Sequence, residues 1–232
     1  MSSWMIDDID PARWEIVGRA QELGITGTPD KAAHSLGKIT LMNGRTVNAH
    51  VVHAVDPIIT DGYEVVMINR KNPPGMGKPA LPGGFIDPGK GGGVESAIQA
   101  AAREAAEEVG IDLHKTKATL IGTRNMNRPF DVRVAANNSL EEKYNIKEGD
   151  VFMVSTQAVR FDVPDLARTQ LVAGDDAAPG SARRVKIDSL TKDSLGIPDH
   201  FAMIEATFPD HFPSPRTPPS DPGCTAQKKA AL

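Results

Sequence analysis

Residues 89–111 read GKGGGVESAIQAAAREAAEEVGI, a glycine-rich approach followed by a helical run and a glycine stop. At about 100° per residue, Val94, Ile98, Ala101, Ala105 and Val109 fall on one apolar stripe, with Glu104, Glu107 and Glu108 on a neighbouring arc of roughly 100°. Carboxylates three and four positions apart destabilise an isolated helix by about 0.2–0.5 kcal/mol per pair, so this spacing invites a compensating cation. Hard oxygen donors of this kind suit Mg²⁺ or Mn²⁺. Glutamate-rich helix faces also exist simply to meet water, and Arg103 can pair with Glu107 as an ordinary i,i+4 support. The triad by itself leaves both readings open.

The whole spacing is more specific. Gly89 is followed by five residues, Glu95, seven residues, and then Arg103-Glu104-Ala105-Ala106-Glu107-Glu108-Val109-Gly110-Ile111. This resembles the Nudix hydrolase signature at every fixed position. The one soft departure is Ala105, where the family usually carries a larger aliphatic residue, which touches packing and leaves the acidic set intact. The resemblance implies an α/β fold, the Nudix-type α/β/α sandwich with a mixed β-sheet, and the hydrolysis of a nucleoside diphosphate linked to another moiety with Mg²⁺ or Mn²⁺. Carried onto this chain, it makes Glu104, Glu107 and Glu108 metal ligands and catalytic residues, with Arg103 holding the glutamates. Glu95 supports the loop or an additional metal. A metal on the phosphates neutralises charge, polarises phosphorus and acidifies a bound water. Gly91, Gly92 and Gly93 either let backbone approach the diphosphate or form a merely flexible loop.

Before this stretch, Asp10-Pro11 opens a helical pattern with Trp14, Val17, Ala20 and Leu23 as apolar positions and Gly24 as its stop. A second, shorter helix is expected over Pro29 to Leu36. Asn43-Gly44, between Lys38 to Met42 and Arg45 to Val55, is the strongest hairpin signal in the chain. Residues 1–49 are read as an N-terminal extension that either docks on the sandwich or exchanges with a second subunit to make a homodimer. Ala49 to Ile59 and Tyr63 to Ile68 are strands expected at the centre of a sheet, and Ala80 to Ile86 is a short strand entering the acidic stretch.

After it, Ala118 to Met126 and Asp150 to Val163 read as strands around a long polar segment. At the start of that segment, Arg124, Arg128 and Phe130 either contact phosphate and stack on a base or are residues of a solvated loop. A strand over Arg184 to Ile187 and a closing helix around His200 to Thr207 follow. The run Ala173-Gly174-Asp175-Asp176-Ala177, with Ala54-Val55-Asp56-Pro57-Ile58-Ile59-Thr60, looks like the ADP-ribose pyrophosphatase branch of the same family. Asp175 and Asp176 then bind substrate or orient water, or form a polar turn. The Nudix domain is placed at 50–208. Six of the eighteen prolines fall from Pro209 onward, so 209–232 is expected as a disordered tail.

The remaining composition narrows the function classes. A net charge of −4 with scattered basic residues argues against a nucleic-acid surface, and no apolar run long enough for a membrane span or signal segment is present. A cytoplasmic protein is expected. Cys224 is the single cysteine, which excludes an internal disulfide and a cysteine-based metal site. His50 and His53 are read as strand residues and not as metal ligands. The expected function is Mg²⁺- or Mn²⁺-dependent hydrolysis of ADP-ribose to AMP and ribose 5-phosphate. Alternatives are NADH, a nucleoside diphosphate sugar or a dinucleoside polyphosphate as substrate, or a nucleotide-sensing domain without catalysis.

Overall fold

The computed structural model describes residues 14–25, 29–73, 75–89, 93–124, 132–174 and 177–212. The expected cap at Asp10-Pro11, Arg128, Phe130, Asp175, Asp176 and the chain from residue 213 lie outside these residues, as does the side chain of Arg124. Helix α1 covers 14–22 and stops at Gly24, whose φ is 66°. Its anchors are Ile16, Val17 and Ala20, all buried, whereas Trp14 and Leu23 are 64% and 60% exposed, contrary to the apolar stripe expected there.

The short helix expected over Pro29 to Leu36 is not formed. Residues from Ala33 onward belong to strand β1 (Ala33–Thr40), which pairs antiparallel with β2 (Thr46–Thr60) from Ala33↔Val52 to Thr40↔Thr46. A helix of that length is marginal on its own, and the strand ladder satisfies the same backbone groups while burying Leu36 and Ile39. The hairpin turn is where Asn43-Gly44 places it: Leu41 N–H donates to Arg45 O at 2.8 Å, and Gly44 takes a φ of 79°. Strand β2 runs without a break through residues 49 and 50.

The remaining elements are β3 (Glu64–Asn69), β4 (Pro79–Ala80), β5 (Gly84–Phe85), α2 (Ala97–Val109), β6 (Ala118–Arg124), β7 (Val132–Val134), α3 (Glu141–Tyr144), β8 (Val151–Asp162), β9 (Arg183–Lys186) and α4 (Pro198–Thr207). The single strand expected over Ala80 to Ile86 is therefore two short pairings, and the polar segment before β8 contains β7 and α3. The strands run in the order β4-β3-β2-β8-β6, with β1 and β5 also on β2, β7 on β8 and β9 on β3. At the centre, β2 and β8 pair in parallel from Ala49↔Val151 to Thr60↔Asp162, and the other pairings are antiparallel.

Alternation along these strands builds a three-layer arrangement. Val55 and Ile59 of β2, with Val159 and Phe161 of β8, pack beneath α2. The interleaved Ile58 and Ala158 face the other way and pack with Met203 and Ile204 of α4. Helix α1 covers Ala49, Val51, Val151 and Met153, while Val52 and Phe152 meet Tyr144 and Ile146 on the opposite side. The sheet is thus covered on both faces, an α/β fold.

Two details of packing bear on stability. Residues 209–212, expected in the tail, are part of the fold: Pro209–His211 form a 3₁₀ turn, and the Phe212 ring sits edge-on to Phe201 at 5.1 Å. His53 is 1% exposed, and neither ring nitrogen has a hydrogen-bond partner among the described residues; its neighbour is the His34 ring at 5.2 Å. Burial, with His34 adding and Asp30 opposing, pushes the His53 imidazole down to about 4.

A chain ending at Phe212 is expected to keep the melting temperature of the full chain, whereas one ending at Phe208 loses the aromatic pair. A partly buried ring with an edge-on partner contributes about 1–2 kcal/mol, or roughly 2–8 °C at this size, which calorimetry resolves. Acidification is expected to act through His53. Below its ordinary value near 6.5 the unfolded chain takes up a proton that the folded chain refuses until about 4. Stability should therefore fall as pH drops through that window, by on the order of 3 kcal/mol for this one group. Urea midpoints between pH 7 and pH 4 should show a flatter profile for His53→Leu than for the parent chain.

Candidate active site

Helix α2 is started by a reciprocal cap. Ser96 Oγ accepts the Gln99 N–H at 3.3 Å, and Gln99 Oε1 accepts the Ser96 N–H at 3.1 Å. This reciprocal Ser-x-x-Gln cap, which the sequence reading did not single out, marks the helix start at Ala97. Five alanines, Ala97, Ala100, Ala101, Ala102 and Ala105, and Val109 form the buried face, which lets the helix axis lie close to the sheet. Ile98, expected on that face, is 44% exposed, and Val94 precedes the helix in a bridge to Pro88. The helix stops at Gly110, with φ of 73°.

This rotation buries Glu104 and Glu108 and leaves Glu107 exposed. Arg103 organises the group. Its Nη1 donates to Glu104 Oε1 at 2.7 Å and to Glu107 Oε2 at 3.0 Å, while Nε and Nη2 reach the Glu95 carboxylate at 3.0–3.3 Å. Nη2 also donates to the Phe85 carbonyl at 2.9 Å. Burial opposes the guanidinium charge, but Glu95 and Glu104 outweigh it and hold the group further toward the protonated form. Glu95 closes the neck of the preceding loop: its N–H donates to Asp87 O, and its Oε2 accepts the Asp87 N–H at 3.2 Å. The loop's glycines Gly91 and Gly92 lie outside the described residues.

Glu108 accepts the Gly83 N–H at 2.7 Å. A Cβ on Gly84 would stand 2.3 Å from Glu104 Oε1, and one on Gly83 would stand 2.4 Å from Asp56 Oδ1. The two glycines are therefore a strip thin enough for carboxylates from α2 and β2 to close on it from two sides. Among the described residues no three His, Cys, Asp or Glu side chains converge closely enough to hold an ion; Glu104 and Glu107 converge on Arg103 instead. The donor set still fits a hard divalent cation, since it consists of acceptor-only carboxylate oxygens, two of the three on buried residues.

The strip borders a cleft of about 920 Å³. Ala54 and Asp56 of β2 and Val154 and Thr156 of β8 line it from the sheet, Glu104, Glu107 and Glu108 from α2, and Ile197 to Met203 from α4 and the residue before it. Arg70, Arg133, Lys143 and Lys192 also line it. Lys143 Nζ pairs with Asp87 Oδ1 at 2.6 Å. Tyr144 donates to the Ile86 carbonyl at 3.3 Å, and burial, with Asp87 adding, pushes its phenol up, so it stays a neutral donor.

Sequence reasoning did not single out these four cations, nor Asp56 and His200, because they are distant in the chain. The run before Asp175 caps the end of α2: Val172 N–H donates to Val109 O and Gly174 N–H to Glu108 O, both at 3.0 Å. A Cβ on Gly174 would fall 1.7 Å from Glu107 O.

Several known proteins resemble this chain. An ADP-ribose pyrophosphatase of Methanocaldococcus jannaschii is 41% identical over 71 residues, which is 31% of this chain and 38% of that protein. The chain thus spans well under half of the length of that relative. Among solved structures, a bifunctional NMN adenylyltransferase/ADP ribose pyrophosphatase from Francisella tularensis, complexed with AMP and a manganese ion, is 20% identical with a TM-score of 0.42, covering 86% of this chain and 48% of that one. The NUDIX domain of Shewanella oneidensis NrtR, complexed with ADP ribose, is 18% identical with a TM-score of 0.42, covering 68% and 86%. The NUDIX domain model matches residues 50–171, more than half of the sequence and the whole of the Arg103 cluster, so the chain belongs to the NUDIX family.

Proposed function

We propose that the chain is a divalent-metal-dependent pyrophosphohydrolase whose substrate is ADP-ribose, cleaved to AMP and ribose 5-phosphate. The observation that carries this reading is the lining of the cleft: the carboxylates of Glu104, Glu107 and Glu108 border the same space as Arg70, Arg133, Lys143 and Lys192. A diphosphate bridging two sugars needs both, cations for its charge and hard oxygen ligands for a metal. Pockets of roughly 300–1,000 Å³ accommodate small ligands and cofactors, and this cleft falls in that range. The identity to the Methanocaldococcus jannaschii ADP-ribose pyrophosphatase supports the choice of substrate.

In this reading Glu104, Glu107 and Glu108 hold Mg²⁺ or Mn²⁺, with Glu95 supporting the loop or a further ion. When bound, the metal neutralises phosphate charge and acidifies a water. Arg103 keeps Glu95, Glu104 and Glu107 on one side of the cleft. Arg124, Arg128 and Phe130 contribute phosphate and base contacts, and Asp175 and Asp176 contact substrate or water. Residues 50–208 carry the catalytic machinery and 209–212 pack beside it, with 1–49 an extension that docks or mediates a homodimer, acting in the cytoplasm. No helix among the described residues is long and apolar enough to cross a membrane.

Turnover of ADP-ribose, NADH, nucleoside diphosphate sugars and dinucleoside polyphosphates with Mg²⁺, with products identified by mass, tests the substrate. ADP-ribose should give AMP and ribose 5-phosphate and should be the best of the panel. Gln at 104, 107 or 108 is expected to lower kcat about 10²–10⁴-fold, on the order of 3–5 kcal/mol of barrier. Glu107→Gln, at an exposed position, should melt with the parent chain. Hydrolysis that survives excess chelator, or full activity in both Glu107→Gln and Glu108→Gln, would refute the metal assignment.

A further inference from the structure

The cleft that Glu104, Glu107 and Glu108 line also holds a second polar arrangement, outside the 89–111 signature. Asp56, on β2, is buried, with its side chain 12% exposed and lining the cleft. One of its oxygens, Oδ1, lies against Gly83, the residue whose N–H is held by Glu108. The other, Oδ2, lies 3.4 Å from His200 Nε2. His200 comes from α4 and is 3% exposed. Its Nδ1 accepts the Leu81 N–H at 2.9 Å, so that nitrogen carries no proton and the ring's hydrogen is on Nε2, the nitrogen nearer Asp56. The imidazole is thus fixed in one tautomer by backbone, with the nitrogen that carries its hydrogen 3.4 Å from a carboxylate that lines the cleft.

The geometry points to Asp56 as the proton acceptor for the attacking water, with His200 as the residue that positions it. This rests on the reading of the cleft as a pyrophosphohydrolase site. A carboxylate oriented by an imidazole whose other nitrogen is anchored has the base-and-orienter logic of general-base catalysis. As the water oxygen bonds to phosphorus, its proton passes to Asp56. The bridging P–O bond breaks, and its electron pair leaves on the departing phosphate. Asp56 is suited to this and Glu104 less so, because Glu104 is engaged by Arg103 at 2.7 Å while the Asp56 partner is a neutral ring. Gly83 is then required twice, to donate to Glu108 and to leave room for Asp56.

The test uses the full chain with ADP-ribose and Mg²⁺. Asp56→Asn preserves shape and should lower kcat about 10²–10⁴-fold with little change in KM. Millimolar formate, a carboxylate small enough for the vacated space, should raise kcat of Asp56→Ala at least about tenfold and leave Asp56→Asn unchanged, which a purely structural pair would not show. At position 200, Gln reaches Asp56 from the place of Nε2, whereas Asn can only replace Nδ1 as acceptor for Leu81. His200→Gln should therefore retain more kcat than His200→Asn, and this comparison decides the matter if Asp56→Asn does not fold. An active parent chain whose Asp56→Asn variant keeps a third or more of its kcat, or whose His200→Asn matches His200→Gln, overturns this inference alone. A parent chain that turns over no member of the nucleotide panel overturns the pyrophosphohydrolase reading and this inference with it.

Discussion

The Arg103 guanidinium is the point on which the candidate site depends. One side chain, 24% exposed, meets three glutamates and a backbone carbonyl: Glu95 from the loop neck, Glu104 and Glu107 from its own helix, and Phe85 O from β5. Its planar fork suits this, since five N–H donors leave in fixed directions and a lysine ammonium could not match them. Exposed i,i+4 pairs such as Arg103–Glu107 contribute little. The bonds to Glu95 and Glu104 are shielded, and without the arginine these would be partly buried carboxylates in mutual repulsion, an arrangement that typically costs about 3–5 kcal/mol when one partner is removed. The same cation therefore keeps the fold tolerant of an acidic helix and aims that acidity at the cleft.

Thinness does the rest. Helix α2 packs through alanines, which allows close approach to β2, and Gly83-Gly84 at the edge of β2 have no side chains to hold the carboxylates away. Strands β1, β5 and β3 occupy that β2 edge in turn. The short β5 leaves its middle to a two-residue strip through which acids on the α2 face border a cleft on the α4 face. Ala105, fully buried, belongs to this arrangement: a larger aliphatic residue here would have to displace the sheet or the helix.

What was legible in the sequence was local. The acidic cluster, the glycine stop, the Asn43-Gly44 turn and the strands at β2, β3, β6, β8 and β9 are each set by residues within a few positions of one another. The readings that failed had a tertiary competitor. Pro29 to Leu36 carries a plausible helix start, yet pairing with β2 claims it from Ala33 on. Ile98 matched a helical stripe, but a face of small residues won the sheet because close approach buries more of both partners. Pro209–Phe212 looked like the start of a low-complexity tail, and the Phe212 ring against Phe201 with the His211–Asp188 pair recruits them into the fold. The cleft's cations had no local signal, and neither did the pairing of Asp56 with His200. Leu81 and His200, whose bond sets the imidazole tautomer, are 119 positions apart.

The acidic end of α2 is also its wrong end by helix electrostatics. The last turn carries Glu107 and Glu108 and no basic residue, so two negative charges stand at the negative pole of the helix dipole. The structure offsets this with neutral donors at that pole: the N–H groups of Gly110 and Ile111 both meet the Ala105 carbonyl, and those of Val172 and Gly174 meet the carbonyls of Val109 and Glu108. Those donors act on the carbonyls and not on the carboxylates, which are met by Arg103 at Glu107 and by the Gly83 N–H at Glu108. A helix shaped only for stability would place lysine in its C-terminal turn. Retaining glutamate where the dipole opposes it, and burying one of the two, is a local inconsistency that helix stability does not explain, and the metal site proposed above would supply the positive charge that offsets it.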